Sequence, residues 1–109
     1  MNINIDTKPS IAFKLEAMEQ DKLIGWVYLY IIKNDLHEQP YGLMENLFIN
    51  EDFRGKGMGG GLVDALIELA KKQGCYKLIG TSRESNLVAH KLYEKKGFQK
   101  HGLEFRMDL

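Results

Sequence analysis

Apolar positions along this chain change period once, and the change separates strands from helices. In SIAFKLEAME, Ile11, Phe13, Leu15 and Ala17 alternate with mostly polar residues, the period of two that a half-buried strand shows. KLIGWVYLYIIKN follows as a second strand, whose β-branched and aromatic content suits a central sheet position, and the intervening EQDK reads as a tight hairpin. NDLHEQP is loop. YGLMENLFIN is a third strand, ended by Asn50, Glu51 and Asp52. The period then becomes helical: Leu62, Leu66 and Leu69 recur at i, i+4 and i+7 with Val63, Ile67 and Ala70 beside them. Asp64, Glu68, Lys71 and Lys72 take the opposite face, and Gly74 stops the helix. YKLIGTS is a fourth strand. SNLVAHKLYEKKG is a second helix, with Ser85 or Asn86 as N-cap and Gly97 as C-cap. In LEFRMDL, Leu103, Phe105, Met107 and Leu109 alternate with polar residues, so a closing strand is expected, paired to FQK through HG. The pattern predicts one α/β (α+β) domain over residues 1–109, with a mostly antiparallel central sheet and two main helices.

Composition narrows what this domain can do. Fifteen basic and fifteen acidic residues cancel, so no global field draws the chain to nucleic acid or to a membrane surface. The single cysteine, Cys75, excludes an internal disulfide and fits a reducing compartment. His37, His90 and His101 are scattered without metal-ligand spacing, so no metal is expected. No apolar run approaches the roughly 20 residues that span a bilayer, and no basic segment leads into an apolar one at the start. A cytoplasmic location is expected.

One stretch stands apart. DFRGKGMGGG, residues 52–61, carries glycine at 55, 57, 59, 60 and 61 and leads straight into the first helix. A strand, a glycine-rich loop and a helix in that order gather free backbone N–H groups and the positive end of a helix dipole at one point. Missing side chains let an anion approach the backbone, and Arg54 and Lys56 add charge at the rim. A merely flexible loop would rarely separate a strand from so amphipathic a helix. Diphosphate is the expected anion. A P-loop is excluded, because Lys56 is followed by Gly57 rather than by Ser or Thr. A dinucleotide fingerprint is excluded too, since YKLIGTS ends without the acidic residue that binds ribose. The spacing that fits is Arg54-x-x-Gly57-x-Gly59.

This loop after a strand, followed by Asn86-x-x-Ala89-x-x-x-Tyr93-x-x-x-Gly97-Phe98, resembles the acetyl-CoA-binding core of the GNAT N-acetyltransferase superfamily. The likeness runs from about Glu45 to Phe98. GCYK, TS and AHKLYEKKGF look most like small-amine enzymes such as the aminoalkylphosphonate and glucosamine-phosphate types. The resemblance implies that the backbone of Leu47, Phe48 and Ile49 pairs with the pantetheine arm, exposed by a splayed strand or bulge. It implies that the loop from Arg54 through Gly55, Lys56, Gly57, Met58 and Gly59 to Gly60 holds the diphosphate, that Asn86 contacts the arm, and that Tyr93 sits close to the thioester sulfur.

The chemistry of such transfer asks for three groups. An alkyl ammonium titrates near pH 10 and must lose a proton before attack; Glu45 occupies the family's usual position for that base. A backbone N–H at Phe48 or Ile49 would serve the oxyanion. Tyr93 would protonate the departing CoA thiolate. Each residue also has a plainer reading: Tyr93 as a half-buried core aromatic, Asn86 as a helix cap, and Glu45 as a carboxylate facing solvent or a lysine. Arg83 and His90 could instead meet an anionic acceptor. Cys75 has no partnered histidine and is read as packing.

Members of this superfamily usually carry a strand and two helices before the first long strand, whereas about ten residues precede IAFKLEAME here. The N-terminal helical segment is therefore expected to be shortened or absent. An open acceptor site or a homodimer follows from that. The expected activity is acetyl transfer from acetyl-CoA to a primary amine of a small molecule, by direct attack in a ternary complex, with CoA as product. Two rivals stay open: a non-catalytic acyl-CoA-binding sensor or regulatory protein, and a different nucleotide binder using the same loop.

Overall fold

The computed structural model describes residues 1–109 and places four strands and two α-helices in the order β1 (Ile11–Glu19), β2 (Lys22–Ile32), β3 (Tyr41–Ile49), α1 (Met58–Lys72), β4 (Leu78–Gly80), α2 (Leu87–Lys95). The sheet order is β1-β2-β3-β4, with the first three strands antiparallel and β4 parallel to β3. The expected hairpin joins β1 to β2 through two residues, Gln20 (φ 49°) and Asp21 (φ 64°), both left-handed as a type I′ turn requires.

Alternation decides which face is core. Val27 and Leu29 of β2 are wholly buried and pair across the sheet with Leu15 and Phe13 of β1; Met44 of β3 lies beside Leu29. Helix α1 lays Leu62, Val63, Leu66 and Ala70 on this face, and Leu92, Tyr93 and Phe98 close its end. Trp26, Tyr28 and Tyr30 alternate with those core residues and point to the other face. There Trp26 stacks on Phe48 at 4.6 Å, burying the indole N–H without a partner, which costs about 1–3 kcal/mol.

Both helices end by the same device. After α1, Gly74 (φ 77°) donates to the Lys71 carbonyl and Cys75 to that of Ala70; after α2, Gly97 (φ 101°) donates to Glu94 and Phe98 to Tyr93. These are Schellman motifs, which need a residue free to adopt positive φ. In the second, the returning Phe98 ring packs 5.5 Å from the Tyr93 ring and holds it.

Two expectations require correction. The closing strand is absent: residues 98–109 have no regular structure, and Phe105 stands 90% exposed. Period two permits a strand but does not supply an edge, and β4, with only three residues, offers too little of one. For the same reason β4 is shorter than YKLIGTS: its pairing with β3 stops at Met44 and Gly80. The other correction concerns the glycine stretch, because Gly59, Gly60 and Gly61 already belong to the first turn of α1. Leu92 of α2 comes within 3.8 Å of where a Cβ on Gly59 or Gly60 would lie, so their small size lets the two helices approach.

Candidate functional site

The site begins with a fault in β3. Between the pairs Trp26–Phe48 and Tyr28–Glu45, β2 advances two residues while β3 advances three. The extra residue is a bulge, and Asn46 takes it with φ 57°, a conformation asparagine tolerates better than most side chains. The bulge re-phases the strand. Met44 faces the core before it; Leu47 and Ile49 pack on the core after it, while Phe48 turns to the opposite face.

Immediately beyond Met44, β3 also loses β4 as a partner, so the two parallel strands part. The Asn50 N–H bonds the Ile24 carbonyl at 2.7 Å, and the Phe48 carbonyl lies close against Gly25. Strand geometry then directs the N–H and C=O groups of Leu47 and Ile49 the other way, into the opening. Phe48, expected to share this role, presents its backbone to β2. Within the opening, the Ile49 carbonyl accepts from Arg54 Nε at 2.8 Å, and the Arg54 guanidinium lies over the Phe48 ring at 5.6 Å.

The glycine loop supplies the donors. Phe53 and Arg54 bond back to Asn50 and Glu51, so the Arg54 N–H is already used. From Gly55 to Gly60 no backbone N–H has a partner within the chain, and the first bond of α1 is Gly61 N–H to the Gly57 carbonyl at 3.1 Å. Gly57 is the N-cap of α1 at φ 80°; no side chain caps the helix and no acid stands in its first turn. Gly55 is left-handed as well, and a Cβ at either position would meet nothing within 4 Å. Six free N–H donors, a helix dipole and open space in front fit a diphosphate. Lys56 and Lys22 both rest on the Phe53 ring, at 5.3 and 5.5 Å. Lys22 arrives from the hairpin through the sheet register, which no local motif announces.

Helix α2 closes the other side. Asn86 is its N-cap, and its side chain accepts from the Ala89 N–H at 3.2 Å. Seven residues on, Tyr93 is half-buried against the core. Burial, and then the nearby Glu45 carboxylate, push its phenol above the ordinary value of 10. Of the two expected catalytic side chains, Glu45 stands on β3 and Tyr93 on α2. His90 is tied to its own helix start, its Nε2 lying 2.9 Å from the Arg83 carbonyl. Burial pushes the Cys75 thiol up, the direction that disfavours the thiolate. No cluster of His, Cys, Asp or Glu could hold a metal ion, and no helix is long and apolar enough to cross a membrane.

Residues 3–98 match the acetyltransferase (GNAT) family. The chain is similar to a glucosamine 6-phosphate N-acetyltransferase of Trypanosoma brucei brucei, 38% identical over 68 residues that cover 62% of this chain and 44% of that protein. It is similar also to a spermine/spermidine N(1)-acetyltransferase of Bacillus subtilis (strain 168), 37% identical over 60 residues, covering 54% and 40%. A crystal structure of a Trypanosoma brucei acetyltransferase superposes with a TM-score of 0.76 at 29% identity, over 92% of this chain and 69% of that one. The chain spans about half the length of the curated relatives it matches.

Proposed function

Because the chain belongs to the GNAT acetyltransferase family, we propose that it acetylates a primary amine of a small molecule with acetyl-CoA, by direct transfer in a ternary complex. The observation that carries this reading is the opening where β3 parts from β4, flanked by six unpaired loop N–H groups and by the edge of Leu47 and the Ile49 N–H that β4 leaves unpaired. When bound, acetyl-CoA supplies an activated acetyl thioester and leaves as CoA. The N–H groups from Gly55 to Gly60 bind its diphosphate, with Arg54 and Lys56 at the rim; Leu47 and Ile49 align its arm, and Asn86 reaches it from the start of α2.

Glu45 removes the proton that keeps the acceptor unreactive. At neutral pH an alkyl ammonium near pKa 10.4 lies about 4–5 kcal/mol from its free amine, a gap wide enough to require a base. The carboxylate takes that proton directly or through one water. Tyr93 holds a proton at its phenol oxygen, and burial keeps it there through the neutral range. A donor in that state can protonate a thiolate, whose own pKa lies near 8.5. The backbone N–H of Ile49, rather than that of Phe48, is the donor toward the carbonyl oxygen. Direct transfer needs no covalent enzyme intermediate, and the raised Cys75 thiol agrees with that.

Release of CoA from acetyl-CoA in the presence of primary amines tests the reading. Tyr93→Phe should lower kcat about a hundredfold and leave KM for acetyl-CoA within about twofold. Because the phenol must be protonated and its pKa is raised, wild-type kcat should hold until pH exceeds 10 and fall beyond it. An unchanged kcat in the variant would remove Tyr93 from its role. The rival sensor predicts acetyl-CoA binding with no CoA released by any amine. A homodimer in the cytoplasm is the assembly this reading favours, supported by the exposed row Leu103, Phe105, Met107 and Leu109; sedimentation at the mass of one 12.5 kDa chain would oppose it.

A further inference from the structure

One ion pair joins the two helices. Lys96, at the end of α2, reaches Asp64 of α1, with Nζ 2.9 Å from Oδ2. The other ion pairs of the chain, Lys8–Asp6, Lys14–Glu16, Lys71–Glu68 and Arg106–Asp108, link residues two or three apart, so this one alone ties distant elements together. Its members are unequally covered: the Lys96 side chain is 20% exposed and that of Asp64 60%. An ion pair open to water on its acidic side holds weakly.

The ammonium stands where the helix disfavours it. Lys96 Cε and Nζ lie 3.4 and 3.5 Å from where a Cβ on Gly60 would be, against the first turn of α1. That turn carries the positive end of the helix dipole, has no acid of its own, and leaves the Gly60 N–H unpaired. A cation is repelled there, and Asp64, one turn further along the helix, is the group that offsets the repulsion. An anion at the start of α1 would reverse the balance, attracting the ammonium and satisfying the open N–H groups at once. Diphosphate carries more charge and more acceptor oxygens than one carboxylate, so it can take the ammonium from Asp64. The Lys96 stem already lies against Gly60 and loses little further freedom in the exchange.

We infer that Lys96 is a switching diphosphate ligand: Asp64 holds its ammonium while the site is open, and on binding the ammonium passes to the diphosphate at the start of α1. This rests on the acetyl-CoA reading and adds to it a binding residue outside the glycine loop, with Asp64 as an internal competitor that lowers affinity. The spacing Arg54-x-x-Gly57-x-Gly59 does not mark Lys96, which reaches the site through the packing of α2 on α1. Occupancy then breaks the one ion pair between the helices.

The two partners predict opposite effects. By calorimetry on the whole protein, Lys96→Met should weaken CoA about tenfold, whereas Asp64→Asn should tighten it about threefold. Asp64→Asn in the Lys96→Met background should change nothing, because the competitor has no cation left to hold; a general effect of charge on the field would add instead. Lys95→Met, one position away and exposed, should leave affinity within about twofold of wild type. Inorganic diphosphate should rank the variants in the same order, and circular dichroism follows the folding of each. A pair that only fastens α2 to α1 predicts that both single variants melt lower and neither binds more tightly. That result would overturn the inference, and so would a gain from Asp64→Asn that survives Lys96→Met. CoA release from acetyl-CoA with primary amines is scored separately. Variants that rank as expected with no CoA released count against acetyl transfer while upholding Lys96; CoA released with one KM for acetyl-CoA in wild type and both single variants does the reverse. A wild-type protein that binds neither CoA nor diphosphate would overturn both.

Discussion

The two helices of this protein begin in opposite ways. Helix α2 starts on Asn86, whose side chain satisfies the Ala89 N–H, so its first turn is closed from within. Helix α1 starts on a left-handed glycine with no side-chain cap, no acid in its first turn, and a row of unpaired N–H groups before and within it. An uncapped helix start is less stable than a capped one by about 1 kcal/mol, and glycine in a first turn adds to the loss. A chain that can cap α2 with one asparagine could cap α1 the same way. Its glycines instead leave the donors of α1 open and uncovered, the state in which an external anion can take the place of the cap.

The strongest way to break this contrast is Gly57→Val. At φ 80° a β-branched residue is strained, at a cost of about 1–2 kcal/mol or more, and its side chain would project beside the open donors. Loss of two charge-assisted hydrogen bonds corresponds to an acetyl-CoA affinity at least about a hundredfold lower. Calorimetry on the folded variant measures it, and wild-type binding would dismiss the loop as the diphosphate site.

Gly61→Glu divides stability from binding. The position is exposed, has helical geometry, and a Cβ there would meet nothing within 4 Å. Replacing glycine inside the helix and placing an acid near its N-terminus should each help, by about 1 kcal/mol together, or roughly 4 °C in melting temperature. The same charge should repel a diphosphate and weaken acetyl-CoA about fivefold. A variant that gains stability and loses affinity is what an N-terminus left open for a ligand predicts. If both rise together, the free donors have no anion to hold.

How far the sequence announces these features depends on whether their causes are local. The hairpin, the amphipathic face of α1 and both glycine stops rest on residues within a few positions of one another, and they can be read directly. The glycine loop is legible as a run of open backbone donors for the same reason, and the Asn86 cap and the half-buried Tyr93 can be read from their spacing on one helix. The bulge at Asn46 depends on registry against a strand some twenty residues away; its only trace is the uneven spacing of Met44, Leu47 and Ile49. The closing strand fails because Leu103 to Leu109 have the right period and no edge to join. The pairing of Tyr28 with Glu45, and the arrival of Lys22 beside Phe53, likewise come from sheet registry alone.

The smallest effect tests the capped helix. Asn86 has two capacities: its amide oxygen is engaged by the Ala89 N–H, while its amide N–H groups remain free to donate to a ligand. Asn86→Ala removes both and should cost about 1 kcal/mol of stability. Asn86→Ser keeps an oxygen for the cap and loses the amide donor, so stability should return to within a few tenths of a kcal/mol. Acetyl-CoA affinity should not return with it. A lost neutral hydrogen bond of about 0.5–1.5 kcal/mol leaves both variants roughly three- to tenfold weaker than wild type. Were serine to restore affinity along with stability, Asn86 would be a cap and nothing more, and α2 would serve the site only by holding Tyr93 against Phe98.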